Sequence, residues 1–85
     1  MPTTVHVLLF ATAREAVGRA SLDVPVPAGG IPARTVLEEL VGRHPALGAV
    51  LRTSRLVVNG RVARGAPGRL RPGDELAVHP PYSGG

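Results

Sequence analysis

The longest helical period in this chain runs from Ala33 to His44, while the apolar residues of Val5 to Ala11 and of Leu22 to Val26 alternate instead. Ala33, Val36, Leu37, Leu40, Val41 and His44 share one helical face, and Glu38 and Glu39 take the wet side. Pro32 suits the first turn of this helix. Pro45 ends it, because the residue before a proline resists the α conformation. Ala46 to Arg52 offers a short second helix. A single main helix with strands before and after it must bury its stripe against one sheet. The expectation is an α+β domain: a mixed sheet of four to five strands packed on one main helix, in the order β-β-α-β-β.

The strands can be read individually. Val5 to Ala11 (VHVLLFA) places Val5, Val7 and Leu9 on one face and His6, Leu8 and Phe10 on the other. A strand apolar on both faces sits centrally in a sheet or carries a partner surface on its second face. Thr12 to Ala20, with Arg14, Glu15, Gly18 and Arg19, reads as a turn region. Leu22, Val24 and Val26 alternate with Ser21, Asp23 and Pro25, a half-exposed strand that Pro25 assigns to an edge. It forms a hairpin with the first strand. Pro27 to Gly30 breaks the chain before the helix. Leu56 to Val62 enters an Asn59-Gly60 turn, a strong hairpin signal because both residues tolerate positive φ. Pro67-Gly68 and Pro72-Gly73-Asp74 mark further turns, and Glu75 to His79 is a last short strand.

Eighty-five residues make one domain. A chain of this size buries about 60–65% of its extended surface, so a large enclosed active site is not expected. There is no cysteine, which removes disulfides, thiolate metal sites and a cysteine nucleophile. There is no lysine either, which removes a P-loop and a Schiff base. All ten basic residues are arginine, and the net charge is +4. They are spread along the chain, and Phe10 and Tyr82 are the only aromatics. No base-stacking platform can be built from these, so no nucleic-acid partner is expected. No segment reaches the roughly 18 apolar residues of a membrane span. Met1 to Thr4 has no positive region before its apolar run, unlike a signal peptide. The expectation is a cytoplasmic protein without a membrane partner.

The chemistry is expected at the end of the chain. Residues 1–79 form the domain, and residues 80–85 (PPYSGG) form an extended tail. Pro80 and Pro81 favour a polyproline conformation that leads away from the body. At roughly 3.3 Å per residue, Pro80 to Gly85 reaches about 20 Å. Gly84 and Gly85 carry no side chain, so the end can thread a narrow channel and bring its carboxylate to a reacting centre. Glycine is 11 of 85 residues, so a Gly-Gly end arises by chance roughly 2% of the time. It is informative chiefly because it directly follows a terminal strand.

With these features assembled, the chain resembles the ubiquitin-like sulfur carriers of β-grasp fold, the MoaD/ThiS group, and within it the branch that serves molybdopterin synthase. The resemblance spans essentially the whole chain. VLLFATAREAVG (Val7 to Gly18) looks like the group's first strand and loop, TVLEELVGRHP (Thr35 to Pro45) like its helix, and VVNGRVA (Val57 to Ala63) like its hairpin. LRPGDELAVHPPYSGG (Leu70 to Gly85) is the most specific part. The resemblance implies a substrate protein with no independent catalysis and no bound cofactor or metal. An adenylyltransferase similar to ubiquitin-activating enzymes would use ATP to adenylate Gly85. A sulfur donor, such as a cysteine desulfurase or a rhodanese-like protein, would convert it to a C-terminal thiocarboxylate. The tail would then enter the large subunit of molybdopterin synthase and give its sulfur to cyclic pyranopterin monophosphate, toward the molybdenum cofactor. Gly85 is the reactive site, and Gly84 gives it a slim approach. Pro80, Pro81, Tyr82 and Ser83 would line the partner's channel. Leu8 and Phe10 would supply an apolar docking surface, with a place in the core as the alternative.

The chain departs from the group at Tyr82, where smaller or aliphatic residues are common, and in a longer loop at Pro27 to Ile31. Other readings stay open: a carrier serving cysteine, thiamine or tRNA thiolation, or a ubiquitin-like or RNA-binding module without thiocarboxylate chemistry. His6, His44 and His79 lack metal-ligand spacing. Glu38-Glu39 reads as helix surface, and Arg14 and Glu15 as an exposed salt-bridged turn.

Overall fold

A computed structural model describes residues 1–63 and 68–81. The first strand, β1 (Thr4–Leu9), is followed by a helix, α1 (Ala11–Val17), and an edge strand, β2 (Ser21–Pro25). A two-residue strand, β3 (Ile31–Pro32), leads into the main helix α2 (Ala33–Arg43) and a short α3 (Leu47–Leu51). Then come β4 (Arg55–Val58), β5 (Arg61–Val62), β6 (Arg69–Leu70) and β7 (Glu75–His79). Five strands form one mixed sheet in the order β2-β1-β7-β4-β5, and β3 and β6 pair separately. This is the β-grasp arrangement: β1 and β7 run parallel in the middle, and the neighbouring pairs are antiparallel.

The inner face of the sheet and the helices share one core. Val5, Val7 and Leu9 from β1, Val24 from β2 and Leu76 and Val78 from β7 meet Ala33, Val36 and Leu40 of α2 and Leu47 of α3. Glu38 and Glu39 lie outside, as the helical spacing requires. Pro25 is on an edge strand, and Asn59-Gly60 makes the hairpin turn between β4 and β5 with φ of 50° and 82°. Both positive values identify the tight turn that matches strand twist.

Three local expectations are corrected. Thr12 to Ala20 is largely helix: α1 runs from Ala11 and is closed at Gly18, whose N–H donates to the Arg14 carbonyl at 2.7 Å. Its inward stripe is Ala13, Ala16 and Val17, all small, so the period was hidden behind the charges and the glycine. That glycine is a C-cap. The β1–β2 pair therefore exists but is joined through a helix. Second, Pro32 caps α2 from outside the first turn and belongs to β3. Third, the β3–β6 pair was not anticipated, because two-residue strands have no period to read. Of the Pro67-Gly68 turn, Pro67 lies outside the described residues.

Candidate functional site

The site begins where β7 stops. Its last residue, His79, pairs with Arg55 of β4, and Pro80 and Pro81 follow. A proline has no N–H to donate to a ladder, so pairing cannot continue and the chain must leave the sheet. β7 lies between β1 and β4, so the exit point is fixed from both sides. Tyr82, Ser83, Gly84 and Gly85 lie outside the described residues. Four residues beyond Pro81 reach about 13 Å at roughly 3.3 Å each.

Around the exit, the outer face of the sheet is apolar. Leu8 stands in register with Ala77, and Ala77 with Val57; Val57 is in register with Val62. Phe10 is 42% and Val62 50% exposed. Leu8, Phe10 and Val57 are not among the residues packed on the core, and the expected alternative of core positions for Leu8 and Phe10 does not hold. The Phe10 ring stacks on the His79 imidazole, and the Phe10 N–H donates to the Val78 carbonyl at 3.3 Å. Beside the stack lies a shallow recess of about 250 Å³ lined by Thr53, Arg55, His79, Pro80 and Pro81.

The structure thus brings Leu8, Phe10, Pro80 and Pro81 to one side of the sheet, Leu8 at the middle of the face and the other three toward the exit. It adds Val57, Val62, Arg55 and His79, which the sequence reading did not single out. A signal existed for Val57: Leu56-Val57-Val58 is apolar on both faces, as is Val5 to Ala11. Nothing local in the sequence marks His79 as part of this face, because its partners Phe10 and Arg55 are far away in the chain. Among the described residues, no cluster of three or more His, Asp or Glu could hold a metal. His6 instead bonds Asp23 at 2.8 Å on the outer face. Arg43 donates to Glu39 at 3.0 Å, an exposed pair on α2. Arg14 and Glu15 are exposed on α1 rather than on a turn. No described side-chain polar atom is buried without a hydrogen-bond partner.

What such a site can do is limited by what it contains. Among the described residues there is no buried acid, base or nucleophile. It presents an apolar face beside a directed chain end. No described helix is long and apolar enough to cross a membrane.

The model of the ThiS family matches residues 7–85. The molybdopterin synthase sulfur carrier subunit of Arabidopsis thaliana is 37% identical over 81 residues, covering 95% of this chain and 82% of that one. The crystal structure of SAMP1 from Haloferax volcanii superposes with a TM-score of 0.81 at 32% identity, covering 96% of this chain and 99% of that one. A complex of subunits 1 and 2 of the molybdopterin-converting factor from Helicobacter pylori contains a chain of the same fold. It matches with a TM-score of 0.63 at 18% identity, covering 96% of this chain and 99% of that one.

Proposed function

From the premise that this chain belongs to the ThiS family, we propose that it is a sulfur carrier whose reactive group is the carboxylate of Gly85 and whose recipient is molybdopterin synthase. The observation that carries the reading is the exit of β7. A central strand runs through His79 into Pro80-Pro81 beside an exposed apolar face, and the sequence continues to a Gly-Gly end. The name of the Arabidopsis relative supports the choice of recipient.

The chemistry follows from the carboxylate. Gly85 is a poor electrophile because its leaving group would be oxide. An adenylyltransferase similar to ubiquitin-activating enzymes joins a carboxylate oxygen to the α-phosphate of ATP and releases pyrophosphate. AMP then leaves as the outer sulfur of a persulfide on a cysteine desulfurase or rhodanese-like donor attacks the carbonyl carbon, giving an acyl disulfide. A second thiol on the activating enzyme or donor then bonds to the donor's cysteine sulfur, forming a disulfide there and releasing the terminal sulfur on Gly85. The product is a thiocarboxylate, a stronger nucleophile than the carboxylate, held on a backbone terminus in a chain with no cysteine. The large subunit of molybdopterin synthase takes the tail, with Pro80, Pro81, Tyr82 and Ser83 along its channel and Gly84 at the narrowest point. Leu8 and Phe10 dock the domain, and the sulfur passes to cyclic pyranopterin monophosphate. The Helicobacter pylori complex of two subunits is a precedent for such an assembly in a protein of this fold.

A second reading is favoured by the likeness to SAMP1, a chain whose name in a related structure is small archaeal modifier protein. The same acyl-adenylate can be attacked by an amine, which would attach this chain to another protein through Gly85.

Intact-mass analysis after incubation with the activating enzyme, ATP and a sulfur donor tests the carrier reading. Exchange of one terminal oxygen for sulfur, followed by loss of that sulfur to the pyranopterin in the presence of the large subunit, is the expected result. No mass change with any cognate activator would remove the carrier reading.

A further inference from the structure

The outer face of the sheet carries its charges unevenly. At the end where β1 and β7 begin, His6 stands between Asp23 and Glu75, with Asp74 just before. In the middle the face is apolar, through Leu8, Ala77 and Val57. At the end where the chain leaves the sheet, the charged residue among those described is Arg55, in register with His79, and among the described residues no carboxylate lines the recess they share with Thr53, Pro80 and Pro81. Arg55 is exposed, and among the described residues its guanidinium makes no ion pair.

We propose that this recess receives a carboxylate side chain of the protein into which the tail inserts, and that Arg55 sets the orientation in which that protein docks. The inference rests on the sulfur-carrier reading for the identity of the partner, the large subunit of molybdopterin synthase. Three features of the recess fit the occupant. A guanidinium presents its donors as a rigid fork matched to a carboxylate. Thr53 and His79 line the same recess; the Thr53 hydroxyl donates to the Val50 carbonyl at a long 3.5 Å, and His79 brings its ring nitrogens. The neighbouring apolar strip, from Phe10 to Val62, excludes water once covered, which strengthens an ion pair at its margin. The opposite end of the face supplies discrimination. A partner turned end for end would bring its carboxylate against Asp23 and Glu75, and like charges at an interface oppose docking. The tail would then also point away from the channel. Charge at the two ends of one sheet face therefore selects the single orientation in which Gly85 enters.

The test is the affinity of the full chain for the purified large subunit of the same organism, measured by calorimetry at low and at physiological salt. Arg55→Glu is expected to raise Kd about tenfold or more, as reversal of an oriented interfacial charge does. Arg55→Gln is expected to flatten the salt dependence. Arg34→Glu makes the same change in net charge on α2, on the far side of the sheet, and is expected to bind as the unaltered chain does. Equal affinity of Arg55→Glu and the unaltered chain would overturn the proposal. So would equal weakening by Arg34→Glu, which would reduce the effect to net charge. If the unaltered chain itself fails to bind, molybdopterin synthase is not the recipient, and this inference falls with that reading.

Discussion

The ring of Phe10 lies nearly flat on the imidazole of His79, with centroids 4.4 Å apart and planes 11° from parallel. The contact ties the residue that follows β1 to the residue that ends β7, immediately before Pro80-Pro81. It holds an exposed aromatic in place on the face where the tail departs. Because the stack is at the surface, Phe10→Ala is expected to cost about 1 kcal/mol of stability. Leu9→Ala, one residue earlier but 1% exposed in the core, is expected to cost about 2–5 kcal/mol. Binding to the large subunit should show the reverse order of sensitivity for folded protein: Phe10→Ala should weaken it about tenfold or more, as loss of an aromatic anchor does. Urea denaturation and calorimetry measure the two effects.

Gly30 is predicted to be irreplaceable. Its φ is 79°, and a Cβ there would stand 2.5 Å from the Leu70 carbonyl oxygen and 2.9 Å from the Arg71 Cγ. Arg69 closes over it, donating to the Gly30 carbonyl at 2.8 Å. Gly30→Ala combines a left-handed backbone with a backbone clash and should cost about 2 kcal/mol or more. The neighbouring Gly29 has nothing within 4 Å of its would-be Cβ. Gly29→Ala should leave the melting temperature nearly unchanged, and thermal melts of the two variants make the comparison.

Asn59 does more than turn the β4–β5 hairpin. Its side-chain carbonyl accepts from the Glu75 N–H at 2.9 Å, and its amide donates to Asp74 at 3.2 Å. Its backbone N–H donates to the Glu75 carbonyl at 2.9 Å. The hairpin is thereby clasped to the start of β7. Asn59→Gly keeps the positive φ and loses the side-chain bonds, an expected cost of about 1–2 kcal/mol. Asn59→Ala loses both and should cost about 1 kcal/mol more. Equal costs in denaturant titrations would show that only the clasp matters.

Deletion of Gly84 and Gly85 should separate folding from function. Among the described residues the core ends at Val78, so the melting temperature is expected to stay within a degree or two. Formation of the thiocarboxylate, read by intact mass, should be abolished.

The chain should not modify itself at a side chain. It has no lysine and no cysteine, so no side-chain amine or thiol can take the acyl group from an adenylated Gly85. With activating enzyme and ATP, peptide mapping should find no branched self-adduct.

The sequence by itself determined the parts whose chemistry is local or periodic. The stripe from Ala33 to Leu40 specified α2, and Asn59-Gly60 specified its turn. Alternation in Val5 to Leu9 separated a core face from an outer face, and Pro80-Pro81 marked where pairing must stop. Each of these is a property of neighbours in the chain. Only the tertiary structure decided the rest, because it depends on residues far apart in sequence. α1 exists because Ala13, Ala16 and Val17 find the core, although their own period is faint. β3 and β6 exist because Ile31 meets Leu70 across the domain. Phe10 meets His79, and His79 meets Arg55, because β7 inserts between β1 and β4. That insertion fixes where Pro80-Pro81 leave the sheet, with an apolar surface on one side and the Arg55 guanidinium beside them.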